Sequence, residues 1–161
     1  MSKVVALLDS NVVIASVAAE HEHHQSSAAL LNEFSPRSFA VAAHSYSEAY
    51  SVLTRRSRGA PFEFDPADAM AALESVAAHC VLVGLTHAQT FDAIREFAGV
   101  GGMGPRLYDK LIGETAVVNG IACIITWNVA HFTSLFPTLT VVDPEQFATT
   151  QRDHRKDHSA E

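Results

Sequence analysis

The sequence predicts an α/β fold built on an open, mostly parallel sheet of 4-5 strands with helices on both faces. Two observations carry this expectation. Short apolar runs rich in branched residues recur along the chain, and stretches of helical spacing separate them. Val4 to Leu8 is a continuous apolar run stopped by Asp9, Ser10 and Asn11, the profile of a strand buried on both faces. Helical spacing follows. Ser26 to Phe34 reads as an amphipathic helix, Phe39 to Ala43 as a second strand and Ser45 to Arg56 as another helix. A loop with Gly59, Pro61 and Pro66 interrupts the pattern before a helix from Ala67 to His79.

Cys80 to Leu85 is a third apolar strand, and Thr86 is placed to cap a helix reaching about Ala98. The stretch Gly99 to Pro105 separates that helix from one over Arg106 to Asn119. Ile121 to Thr126 and Leu139 to Val142 supply the fourth and fifth strands. From about Thr149 the residues turn polar with no apolar anchor. Residues 149–161 therefore read as a frayed or disordered tail beyond one domain over 1–148.

A chain of 161 residues is long enough for a single core that removes about two-thirds of its surface from water. With 48% hydrophobic and 18% charged residues, the composition excludes a disordered chain. No apolar run approaches the roughly 20 residues of a bilayer span. The N-terminus lacks the length and small-residue cleavage site of a secretory signal, so the cytoplasm is the expected location. Cys80 and Cys123 lie in apolar stretches and read as buried, reduced thiols.

The formal charge of −7 argues against gripping nucleic acid by diffuse positive charge. It is compatible with a phosphate ligand if acids gather at one site and a divalent cation neutralises them. Parallel sheets bind ligands outside the carboxyl ends of their strands. Asp9 ends the first strand, Glu48 lies just beyond the second, Trp127 and Asn128 follow the fourth, and Asp109 falls in the first turn of the helix before it. Mg²⁺ and Mn²⁺ favour such oxygen ligands. Each acid also has a structural role open to it. Asp9 could cap a helix, Glu48 completes a Ser45-x-x-Glu48 capping box, and Asp109 suits a helix N-terminus electrostatically.

Four segments occur in order: Leu7-Leu8-Asp9-Ser10-Asn11, Ser45-Tyr46-Ser47-Glu48-Ala49, Tyr108-Asp109-Lys110-Leu111-Ile112, and Ile125-Thr126-Trp127-Asn128-Val129-Ala130-His131-Phe132. In this spacing they resemble the PIN-domain nucleases, in particular VapC-type toxins of bacterial toxin–antitoxin pairs, across almost the whole chain to about Phe147. The resemblance implies a three-layer αβα fold and Mg²⁺ or Mn²⁺ dependence. It also implies endonucleolytic RNA cleavage by a metal-activated water, a cognate antitoxin and a homodimer. Carried onto this sequence, Asp9 and Asp109 are the principal metal ligands, with Glu48 completing the trio. Asn128 falls where many relatives have a fourth acid, and Asn11, Thr126 and Glu114 are candidate supporting residues. The rivals are a non-catalytic PIN-like module that binds RNA or protein, and a small-molecule or phosphate-binding α/β protein that uses the glycine stretch Gly99 to Gly104.

Arg55, Arg56 and Arg58 form the only dense basic cluster before the tail, suited either to RNA phosphates or to a helix C-terminus. Phe62 and Phe64 read as core cover or a partner surface ahead of base stacking. The run His21-Glu22-His23-His24 reads as a solvated loop, having no further ligand set. Gly99, Gly101 and Gly104 match G-x-G-x-x-G but follow a helix, so they read as a connector.

Overall fold

The computed structural model describes residues 4–157. Five strands, β1 (Ala6–Leu8), β2 (Phe39–Ala42), β3 (Cys80–Val83), β4 (Cys123–Ile125) and β5 (Thr140–Val142), form one parallel sheet ordered β3-β2-β1-β4-β5. Leu8 stands in register with Val41 on one side and Ile125 on the other. The pleat divides the strands between two cores. Ala6, Leu8, Phe39, Val41 and Ile125 enter one core, while Leu7, Ala40 and Ile124 enter the second. Both faces of the central strands are thus apolar, which is why the strands appear in the sequence as unbroken hydrophobic runs.

Right-handed crossovers explain the layers. The chain steps from β1 to β2 to β3 in one direction, and α1 (Ser10–Val17), α2 (His24–Glu33), α3 (Ala43–Leu53) and α4 (Pro66–His79) bury residues in the first core. It then returns past β1 to β4 and β5. α6 (Arg106–Val118) and α7 (Val129–Leu135) cover the opposite face through Ile112, Ala116 and Phe132, while α5 (His87–Gly99) packs on α6. The switch in strand direction falls at β1 and β4, where the crevice beyond the carboxyl ends opens.

Thr86 caps α5 as expected, and does so reciprocally. Gln89 N donates to Thr86 Oγ1 at 3.2 Å, and Thr86 N donates to Gln89 Oε1 at 2.8 Å. Thr86→Ala should therefore cost about 1 kcal/mol in urea denaturation. An unchanged midpoint would mean that packing alone holds α5.

The tail expectation needs correction. α8 (Pro144–Asp157) continues as a helix through most of 149–161, and residues 158–161 lie outside the described residues. Its anchor precedes the polar stretch: Phe147 is buried against Phe34 and Phe39, with ring centroids at 5.4 and 5.8 Å. Arg152 Nη2 then reaches both carboxylate oxygens of Glu33 at 2.7 and 2.8 Å, and a nucleated helix propagates at small cost. α7 is a helix that hydrophobic periodicity does not announce, because its seven residues give too short a window.

Both cysteines are free. Burial pushes the Cys80 thiol up to about 12 and that of Cys123 up to about 11, which keeps them protonated and unreactive. Among the described residues no helix is long and apolar enough to cross a membrane.

Candidate active site

Asp9 leaves β1 directly into the crevice. Its backbone N donates to Ile125 O at 3.0 Å, locking the end of β1 to the end of β4. Asp9 is 2% exposed, and its carboxyl does not cap α1. Instead Thr126 Oγ1 donates to Asp9 Oδ2 at 2.7 Å, and Ser10 Oγ donates to Oδ1 at 3.2 Å. Asn11 completes the clasp: its Nδ2 donates to Thr126 Oγ1 at 3.2 Å and its Oδ1 accepts from Trp127 N at 3.2 Å. Thr126 also accepts from Asn128 N at 2.9 Å, so one hydroxyl orients both Asp9 and the turn after β4.

Glu48 does not form the capping box that its sequence matches. α3 begins at Ala43, which puts Ser45 inside the helix, and neither Ser45 Oγ nor Glu48 Oε2 has a hydrogen-bond partner although both are buried. β2 runs into α3 without a capping turn, so the helix starts two residues before Ser45 and its carboxylate is free to face the crevice. Asp109 sits in the first turn of α6, as the sequence predicts, and its Oδ2 lies 3.6 Å from His131 Nδ1.

Three carboxyls share this crevice and act on one another. Burial above all raises Asp9 from 3.8 to about 7; the Thr126 hydrogen bond opposes the rise, while the charges of Asp109 and Glu48 add to it. Burial also raises Glu48, with the neighbouring Ser10 hydroxyl opposing the rise and the charge of Asp109 adding to it. Asp109 is raised by burial against the pull of His131 and Arg106. Three acids that resist ionisation beside each other form a site short of positive charge, a pattern typical of functional centres.

A divalent cation would supply that charge. The donors are hard carboxylate oxygens suited to Mg²⁺ or Mn²⁺, and the buried, unpartnered Glu48 Oε2 is a lone pair waiting for a donor or an ion. Among the described residues no group of three or more His, Cys, Asp or Glu side chains is arranged to hold a metal ion. The donor chemistry, and not a preassembled three-ligand cage, is what suits Mg²⁺, which is commonly held by one or two carboxylates together with water and phosphate.

The remaining sequence candidates divide. Asn11, Thr126 and Asn128 belong to the site through the hydrogen bonds above. Glu114 does not, because it pairs with Lys110, which also reaches Glu96 at 3.0 Å. Arg56 is committed to Glu63 and Asp65 at 3.1 and 2.8 Å and braces the loop after α3, leaving Arg55 and Arg58 exposed without an ion-pair partner among the described residues. Phe62 and Phe64 pack against the first core. The histidine run is less solvated than expected: His23 stacks on Trp127 with centroids 3.8 Å apart and planes 9° from parallel. Gly101 and Gly104 take φ of 76° and 65°, the left-handed turns of a connector between α5 and α6. Sequence reasoning assigned no role to Ser10 or His131. The only signal for them was their place inside the matched segments.

No curated protein matches this sequence. Solved structures do resemble the fold. VapC20 of Mycobacterium tuberculosis, described as a toxin that cleaves the Sarcin-Ricin loop, is 14% identical with a TM-score of 0.64, over 80% of this chain and 94% of that one. VapBC-1 from nontypeable Haemophilus influenzae is 16% identical with a TM-score of 0.59, over 88% and 98%. FitAcB from Neisseria gonorrhoeae is 18% identical with a TM-score of 0.56, over 87% and 98%. At these identities the likeness is one of fold. The family model for the PIN domain matches residues 6–129, from the first residue of β1 to the opening of α7, and the chain belongs to the PIN-domain family.

Proposed function

We propose that this chain is a metal-dependent endoribonuclease acting as the toxin of a toxin–antitoxin pair. The observation that carries the proposal is the buried Asp9, held by Thr126 at the strand switch and electrostatically coupled to Glu48 and Asp109. Asp9, Glu48 and Asp109 would hold Mg²⁺ or Mn²⁺, which when bound polarises a phosphoryl oxygen and acidifies a water molecule. The chain's own residues do the positioning. Thr126 and Ser10 fix the two oxygens of Asp9, and Asn11 ties that arrangement to the exit of β4. Arg106 and His131 lie beside Asp109, where they can face a phosphate that approaches the acids. VapC20 and the VapBC and FitAB assemblies support the RNA substrate and the antitoxin by likeness of fold.

The restraining partner in this reading is an antitoxin segment whose Arg or Lys pairs with the carboxylates. An apolar groove of about 400 Å³ between α3 and α4, lined by Tyr46, Tyr50, Met70 and Leu73, opens beside Ser47 and offers room for the apolar face of such a segment. A homodimer, which would lengthen the RNA groove, belongs to the same proposal.

Incubating the purified protein with a transcript pool and mapping new 5′ ends tests the reading. Cleavage at defined positions should require Mg²⁺ or Mn²⁺ and fall by at least about 100-fold with a chelator, the scale on which loss of a charge-stabilising group acts. Bound RNA left intact at every metal concentration would instead make the chain a binding module.

A further inference from the structure

Beside Asn128 lies a groove of about 440 Å³, bounded by Trp127, His131, Asp143 and Gln146. This falls within the range of small-ligand sites, about 300–1,000 Å³. Two links join it to the acids. Thr126 binds both Asn128 N and Asp9 Oδ2, and His131 lies 3.6 Å from Asp109.

The groove is equipped for an uncharged, planar ligand. No Lys or Arg lines it, and its one carboxylate, Asp143, is engaged by Gln146 N at 2.8 Å. Trp127 is held at three points: His23 stacks on its ring, its Nε1 donates to Ser27 Oγ at 3.0 Å, and its backbone N donates to Asn11. His23 covers one face of the indole and does not line the groove, so Trp127 borders the groove with surface that His23 leaves uncovered. A ring fixed in this way loses little freedom on stacking. The Asn128 side chain is exposed, and its amide makes no hydrogen bond among the described residues, leaving a donor and an acceptor side by side.

We propose that this groove is a nucleotide subsite that takes one unpaired RNA base beside the scissile phosphate, stacked on Trp127 and read by the Asn128 amide. The proposal rests on the ribonuclease reading and deepens it. Proteins that read single-stranded RNA use this pairing of an aromatic platform with hydrogen bonds to a base edge. Asn128 on this account sets which base is preferred and is not needed to hold the ion.

Trp127 is the chain's single tryptophan, so its emission reports directly on the groove. The test titrates the full chain carrying Asp9→Asn with labelled octamers of U, C, A and G, following RNA anisotropy and tryptophan emission together. Saturable quenching that tracks binding is expected, with affinities that differ among the four octamers. Trp127→Ala should weaken the preferred octamer about tenfold or more, while Trp127→Phe retains most of the affinity. Asn128→Ala should narrow the spread among octamers by at least about threefold, and in the Asp9-containing protein the same change should shift the bases flanking mapped cleavage sites.

RNA binding without any change in emission, or a spread untouched by Asn128→Ala, overturns the subsite and leaves the ribonuclease reading intact. Absence of any RNA binding or cleavage defeats both. Quenching by a basic peptide but by no octamer makes the groove a protein-docking surface and overturns the assignment.

Discussion

Asp9→Asn should abolish RNA cleavage and, without divalent ion, make the protein more stable at neutral pH. Asn keeps the size of the side chain and an oxygen to accept from Thr126, but removes a charge that the site resists. Because the folded pKa is raised from 3.8 to about 7, the folded chain holds a proton that the unfolded chain releases near pH 4. The stability contributed by that proton is complete below pH 3.8 and is lost as pH rises through about 7. The separation corresponds to at most about 4 kcal/mol above that range, or a Tm gain of at most roughly 10 °C for a domain of this size.

Thermal unfolding in chelator from pH 4 to 8 should therefore show a decline in the parent that Asp9→Asn flattens. Added Mn²⁺ should raise the parent's Tm and leave that of the variant nearly unmoved, since only an ion bound to the native state stabilises it. Cleavage should fall by at least about 10³-fold, on the scale of losing electrostatic stabilisation at a reacting phosphoryl group. A variant that still cuts RNA, or that is no more stable than the parent at pH 8, would remove Asp9 from the centre of the site.

The parts of the molecule legible in the sequence are those in which local chemistry and tertiary role coincide. Val4 to Leu8 and Ile121 to Thr126 announce strands because parallel strands covered on both faces must be apolar throughout, even though β1 and β4 prove shorter than these runs. The placement of Asp9 and Asp109 followed from the strand and helix ends. Ser45 and Glu48 left two readings open because a spacing of three residues fits a capping box only when the helix starts at the serine, and α3 in fact starts upstream at Ala43. Arg56 could not be separated from Arg55 and Arg58 by sequence, since its partners Glu63 and Asp65 are brought back only by the folded loop. His131 reaches Asp109 across two elements far apart in the chain, a contact no local pattern encodes.

Phe132→Ala should be among the most damaging single substitutions outside the acids. Phe132 is fully buried on the α6–α7 face, and its removal opens a cavity among Leu7, Ile112, Ala116 and Ile124. Such truncations cost about 3–5 kcal/mol, a large part of a typical domain's stability. The second anchor of α7, Phe136, cannot compensate. It lies directly over Gly113 of α6, where an added Cβ would meet its ring at 1.9 Å, so it is already seated without slack.

Because α7 has only seven residues, losing one of two anchors should loosen its opening turn, where His131 N and Phe132 N both donate to Asn128 O. Phe132→Ala should therefore lower Tm by roughly 10 °C. At a temperature where the variant remains folded, it should also blur the base preference set by Asn128, with Phe132→Leu intermediate in both measurements. A destabilisation below about 1 kcal/mol by urea denaturation would mean that α7 is held by its connections to β4 and β5 and not by its core.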